Sequence, residues 1–271
     1  MNWQSEINAQ QAQTLSDKAR IDLLLRSKKI KDTIHWGGSL SLLEIVSVLF
    51  LDIMTNDDKF FLSKGHGAPG VYAIMHQLGK LSNQDWASYR EDGSPITELM
   101  EYNPKIGFNV SGGSLGLAPS YASGMALLWK KMKKEGHIYI LVGDGELNEG
   151  SVWEALIAAA HFQLDNITVL VDANKYQSDG KTECIMKIPE LKRSFEDLGW
   201  IAYEVDGHDC SQLIEVLKKR KVEGKPTVII CNTVKGNGIS FMENAPEWHD
   251  RAMTPDEYIQ AWNEVCKNVA T

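Results

Sequence analysis

Three runs constrain this chain more than anything else in it: "HIYILVG" ending at Gly143, "ITVLVDA" ending at Ala173 and "PTVIICNTV" ending at Val234. Each is almost wholly apolar and rich in β-branched residues. None alternates polar with apolar, so neither face of such a strand is made for water. Stretches with helical spacing lie around them: Gly116 to Lys134, Glu149 to Phe162, Leu191 to Leu198 and Cys210 to Lys221, with a further strand at "WIAYEV". Strands buried on both faces and alternating with helices predict an α/β fold, a parallel sheet covered by helices on both faces. The absence of repeats, low-complexity tracts and linkers predicts a single domain over residues 1–271.

The first half reads as mostly helical. An amphipathic helix is expected from Gln11 to Ile30, with Leu15, Ala19, Ile21, Leu24 and Leu25 near one face. A nearly all-apolar helix is expected from Leu40 to Leu51, capped by Ser39 or Ser41, with Glu44 at capping-box distance from Ser41. Another helix runs from Val71 to Leu78, a short one begins at Ser82 to Asp85, and Thr254-Pro255 opens the last. Ser94 to Ser114 has little periodicity and reads as a long loop, of the sort that often carries function.

The 271 residues are 43% hydrophobic and carry a net charge of −8, which argues against non-specific nucleic-acid binding. Cys184, Cys210, Cys231 and Cys266 form no CxxC pair and read as free thiols in a reducing compartment. The polar N-terminus gives no signal-peptide pattern, and no apolar run is read as reaching about 18 residues, the length of a membrane span. The expected location is the cytoplasm.

In open parallel sheets ligands bind beyond the carboxyl ends of the strands. Asp144, the segment Asp172 to Asn174, and Lys235 fall there. On adjacent strands Asp144 and Asn174 come close together, and a carboxylate and an amide oxygen are hard ligands suited to Mg²⁺ or Ca²⁺. Gly145 lets backbone approach an anion at a helix start. His35 in "HWGGSLS", His66 in "SKGHGAPG" and His249 in "PEWHD" stand at glycine-rich or polar turns, whereas His76, His137 and His161 look structural and His208 in "VDGHD" is ambiguous. The residues alone therefore indicate a parallel α/β domain that binds a phosphorylated ligand through a metal.

"GDGELNEG" followed by "DANKYQSDG", with 28 residues between Gly145 and Asn174, resembles the thiamin-diphosphate signature. "HWGGSLSLLEI", "LSKGHGAPGVYAIMHQLG", "SGGSLG", "VDGHD" and "KGNGISFMENAPEWH" are similar, in order, to motifs of the transketolase family over roughly residues 15 to 262. The resemblance implies a thiamin-diphosphate-binding fold and the cofactors thiamin diphosphate and Mg²⁺, with Ca²⁺ or Mn²⁺ as substitutes. Asp144 and Asn174 would hold the metal by side chain and Tyr176 by its carbonyl. Gly145 and His66 would contact the diphosphate, and Gly113, Ser114 and Leu115 would meet the aminopyrimidine ring by backbone. His35 and His249 would line the substrate channel, with His249 also at the cofactor, and Glu149 would sit at the subunit interface as a third catalytic residue. The implied activity is transfer of a two-carbon ketol unit from a ketose to an aldose.

Two departures from the family pattern stand out. The chain is shorter than the usual members, and the domain that activates the aminopyrimidine cannot be placed in it. This implies an N-terminal subunit that needs a separate C-terminal partner, in an α₂β₂ assembly. In addition, "LMEYNPKIGFNVSGG" places Asn103 and Asn109 where the family commonly has His and Glu, which points to a specialised sugar substrate. The nearest alternatives are a deoxyxylulose-phosphate-synthase-like enzyme, a ketoacid dehydrogenase α-type subunit, or a non-catalytic partner. "FMENAPEWH" favours transketolase, and the lack of an early GxGxxG speaks against a nicotinamide enzyme.

Overall fold

The structure is a computed structural model that describes residues 8–29, 33–220 and 222–270, with side chains to 267. The expected helix ends at Ile30 and Lys221 lie outside the described residues.

Five strands form one all-parallel sheet: β1 (Lys59–Leu62), β2 (Ile138–Gly143), β3 (Ile167–Ala173), β4 (Ile201–Asp206) and β5 (Thr227–Asn232), in spatial order β1-β2-β3-β5-β4. The two-residue period of a strand divides its side chains between two cores. Tyr139, Leu141, Leu170, Ile229 and Cys231 join one core, while Ile140, Val142, Val169, Val171 and Ile230 join the other. The first core is closed by α1 (Ala9–Ser27), α2 (Trp36–Leu40), α3 (Leu43–Val48), α4 (Ala68–Gln77) and α5 (Asn83–Ala87). The second is closed by α6 (Ala118–Met132), α7 (Gly150–His161) and α9 (Leu191–Asp197), with the short α8 (Thr182–Met186) preceding α9. Helices α10 (Cys210–Lys219) and α11 (Pro255–Ala270) return to the first core. The change of face follows from handedness: β3 to β4 steps outward and β4 to β5 steps back, so right-handed crossovers put α9 and α10 on opposite sides.

The sheet and its two covered faces are as expected, and several local readings change. Strand β1, an edge strand of four residues, was not anticipated, and neither was α8. The expected Leu40–Leu51 helix is three pieces: α2, α3 and a π turn over Leu49–Ile53. Neither Ser39 nor Ser41 caps α3, whose N-cap position is Leu42. Ser41 instead gives its hydroxyl to Asp172, and Glu44 is buried against Arg20, Ser16 and His208. By length and hydropathy Trp36–Ile53 could cross a membrane, contrary to the reading of the apolar runs. It is 89% buried in the protein and broken at Leu42, which makes it a core element. In α1 a capping box between Asn8 and Gln11 starts the helix, and Leu25 is exposed rather than on the packed face. All four cysteines are free.

Candidate active site

The parallel register aligns Gly143 with Asp172, so the chain leaves β2 at Asp144 beside the end of β3. Asp144 Oδ1 accepts the Gly145 N–H at 2.9 Å, and Oδ2 accepts the Lys175 N–H at 2.8 Å and the Thr182 hydroxyl at 3.1 Å. Asn174 continues β3 and accepts the Tyr176 N–H at 3.1 Å. Both residues are buried, and the strand ends bring them to one place, as expected. Lys175 between Asn174 and Tyr176 takes a positive φ of 68°, so the backbone turns sharply here. A Cβ on Gly145 would lie 2.7 Å from Gln177 Cγ, so the segment after β3 closes directly on the GDG turn. A cavity of about 680 Å³ opens beside Asp144, Tyr176, Thr182 and Asn232.

Burial raises the Asp144 carboxyl to about 6, and the neighbouring Asp172 adds to the shift. Three hydrogen bonds do not offset that cost, because none of them brings a full positive charge. Asp172, two residues before Asn174, is the counter-example. It is fully buried and accepts from Lys64 Nζ, Thr233 Oγ1 and, at 2.6 Å, Ser41 Oγ. Burial opposes its ionisation, yet Lys64 and the two hydroxyls bring its carboxyl below the ordinary value.

Three imidazoles meet above these carboxylates. The His66 ring lies 5.8 Å from His35 and 5.3 Å from His249, and His35 lies 5.4 Å from His249. They come from the start of α2, the turn after β1 and the segment after Pro246–Trp248. The two glycines after His35 clear the space: a Cβ on Gly37 would lie 2.6 Å from Lys235 Cε, and one on Gly38 would lie 2.6 Å from His66 Cδ2. Buried Lys235 donates to the Gln177 carbonyl at 3.0 Å and sits 3.1 Å from His249 Nδ1, while His249 Nε2 is 3.2 Å from Ser178 Oγ. Burial, with Lys64 and His249 nearby, pulls His66 well below its ordinary value. Burial and Lys235 bring His249 down to about 4, and burial and Lys64 bring Lys235 down to about 8. A pocket that resists gathering more positive charge is one where an anion is welcome.

Gly113 and Ser114 are exposed and Leu115 is half-buried, on a loop docked to the end of β1. Gly65 N–H donates to the Gly112 carbonyl at 3.0 Å, and a Cβ on Gly65 would lie 2.1 Å from that oxygen. Glu146 holds the same loop from below, accepting from Gly116 N at 2.7 Å, Gly143 N at 3.1 Å and the Ser63 hydroxyl. No local pattern in the sequence marks Glu146, Lys64 or Ser41 for these tasks. The acidic residue that follows the GDG turn is the one hint.

Two expected residues sit apart from the histidines. Glu149 is exposed at the N-cap of α7, against Gly116. Asn103 is not the residue that the long loop sends to the site. Its amide donates to the Pro95 carbonyl at 3.0 Å, and that of Asn109 to the Gly107 carbonyl at 2.8 Å, so both are spent on the loop itself. The loop instead brings Glu98, whose Oε1 is 3.1 Å from His35 Nδ1. His208, ambiguous in sequence, bridges Glu44 Oε2 at 2.9 Å and the Val234 N–H at 2.8 Å, behind the Lys235 segment.

Known proteins share this fold. The family model for the transketolase thiamine diphosphate binding domain matches residues 19–268. The chain is 36% identical to one of the subunits of the apulose-4-phosphate transketolase of Actinobacillus succinogenes, over 85% of this chain and 87% of that one. It is 32% identical to the SqwG subunit of the 6-deoxy-6-sulfo-D-fructose transketolase of a Clostridium species, over 87% and 90%. Among solved structures, transketolase from Campylobacter jejuni superposes with a TM-score of 0.88 at 26% identity, covering 96% of this chain but 43% of that longer one. The chain therefore belongs to the transketolase family, whose thiamine-diphosphate-binding domain spans nearly its whole length.

Proposed function

We propose that this chain is the diphosphate-binding subunit of a two-part transketolase that holds Mg²⁺ and thiamin diphosphate at the ends of β2 and β3. The observation that carries the metal assignment is Asp144, a buried carboxylate that makes no ion pair among the described residues and stands beside an amide oxygen donor. Hard oxygen donors and an unpaired negative charge fit Mg²⁺, with Ca²⁺ or Mn²⁺ as substitutes. Asp144 and Asn174 would hold it by side chain and Tyr176 by its carbonyl. Gly145 and His66 would face the diphosphate, and Gly113, Ser114 and Leu115 the aminopyrimidine.

Bound thiamin diphosphate supplies the carbanion-stabilising chemistry by which a two-carbon ketol unit passes from ketose to aldose. The chain's own groups orient and move protons. Lys235 holds His249 from its Nδ1 side, which leaves Nε2 for a hydroxyl, as its 3.2 Å approach to Ser178 illustrates. His249 is neutral at pH 7, and with Lys235 donating to Nδ1 its proton sits on Nε2, which can donate to an oxygen of the substrate. His35 faces it across the channel.

A separate C-terminal subunit is the proposed partner, in an α₂β₂ assembly. Support comes from relatives whose own names call them subunits, and from large apolar side chains left exposed on the packed pair α6 and α7, where Tyr121, Leu128 and Ile157 are each 54% exposed. The partner would supply the group that activates the aminopyrimidine. The substrate is a sugar or sugar phosphate of a specialised pathway, and four free thiols suit the cytoplasm. The test is to co-express the chain with a candidate C-terminal partner and measure ketol transfer from a panel of ketose donors. Transfer by the pair and none by the chain alone is expected. Steady transfer by the single chain defeats the two-part reading, and failure of every pair to bind thiamin diphosphate defeats the site.

A further inference from the structure

We propose that His35, Glu98 and Asp250 form a divalent-cation site suited to Zn²⁺, separate from the Asp144–Asn174 pair. Three distant segments converge here, with one potential ligand atom from each residue and all three atoms within 4.8 Å of one another. His35 Nδ1 is 3.1 Å from Glu98 Oε1 and 3.8 Å from Asp250 Oδ1. Donors at about 2.1 Å from a tetrahedral zinc stand about 3.4 Å apart, and these two separations bracket that value.

The nitrogen itself points the same way. Nδ1 is buried and has no hydrogen-bond partner among the described residues. Glu98 Oε1 lies 3.1 Å away without forming a hydrogen bond to it. Surrounding contacts hold the arrangement in place. Arg90 Nη2 takes the other Glu98 oxygen at 3.2 Å while Nη1 binds the Thr33 carbonyl at 2.7 Å. The backbone bridge between Ile34 and Arg251, with Trp36 Nε1 on the Arg251 carbonyl at 3.1 Å, fixes His35 relative to Asp250. Outer contacts of this kind orient ligands at metal sites. One imidazole with two carboxylates prefers zinc or manganese to the hard cation that Asp144 and Asn174 suit. With three protein ligands the fourth position stays open, and a zinc ion there would tie up a histidine of the proposed substrate channel.

The test is calorimetric titration of the full chain with ZnCl₂ alone in excess Mg²⁺. One saturable site is expected, weakened at least about tenfold in each of Glu98→Gln and Asp250→Asn and unchanged in Asp144→Asn. Both site variants keep side-chain volume, and their melting curves confirm folding. Absence of saturable binding, equal affinity in both site variants and the wild type, or loss of binding in Asp144→Asn overturns the proposal. Thiamin-diphosphate binding, measured separately, reports on the Asp144 site and not on this one.

Discussion

Asp172 and Asp144 are the same residue type, both buried, at the ends of neighbouring strands, yet their surroundings treat charge in opposite ways. Asp172 is met by Lys64, Ser41 and Thr233, and its carboxyl is held below the ordinary range. Asp144 is met by two N–H groups and a hydroxyl, and its carboxyl rises to about 6. One carboxylate is complete within the chain. The other makes no ion pair among the described residues, with Lys235 acting on it only at longer range, and this is what makes it the candidate ligand. Buried charge alone does not distinguish structure from function; the identity of its partners does.

The sharpest way to break this contrast is to neutralise each residue in turn. Asp172→Asn leaves Lys64 buried without the carboxylate it binds, and a cost of about 3–5 kcal/mol is expected in urea unfolding. Asp144→Asn removes a buried charge that makes no ion pair among the described residues, so the metal-free chain should lose under about 1 kcal/mol or gain stability. Comparable losses in both variants would mean that the two carboxylates play the same part.

Acidity gives a second contrast, of somewhat smaller size. Asp144 binds its proton more tightly folded (about 6) than at its ordinary 3.8. Its contribution to stability is therefore fully present below 3.8 and is lost as pH rises through 6, on the order of 3 kcal/mol in the metal-free chain. Asp172 runs the other way: its stabilisation is present above 3.8 and is lost as pH falls below that value. Comparing urea midpoints from pH 4 to 7 for the wild type and Asp144→Asn isolates the first slope. An identical slope in both proteins would remove Asp144 as its source.

Cofactor binding should act on one side of the comparison only. With Mg²⁺ and thiamin diphosphate at about 100 times their Kd, the wild type should gain about 2.7 kcal/mol. Asp144→Asn and Asn174→Ala should gain none, while Ser41→Ala, about 1 kcal/mol less stable at the outset, should gain as much as the wild type. A full thermal shift in Asp144→Asn would refute its role as a metal ligand.

The two carboxylates also differ in how readily the sequence gives them away. Asp144 and Asn174 belong to short motifs at the ends of apolar runs, and parallel strands convert that position into proximity. Asp172 lies in the same run, but its cation comes from 108 residues earlier, at the end of a strand only four residues long. "KFFL" is too brief to display a period, so neither β1 nor the lysine beyond it stands out. The same limit hid the breaks between α2, α3 and the π turn, since a uniformly apolar run carries no phase from which a break could be read. Periodicity reveals which faces are buried, while pairing between segments distant in sequence is settled only by the fold.

The long loop supplies the smallest expected effect and a control for the rest. By its place in the motif Asn103 stands where the family commonly has a histidine, but its amide is bound to the Pro95 carbonyl and its backbone pairs with Phe108. Asn103→His should therefore change stability by no more than about 0.5 kcal/mol and leave donor preference as it is. Glu98, from the same loop, does reach His35. Donor preference measured on the assembled enzyme decides between them. If Asn103→His shifts it, the loop in the working enzyme has a different path, with Asn103 turned toward the histidines. If it does not, Asn103 has no part in substrate choice, and Glu98 is the residue of this loop that stands at His35.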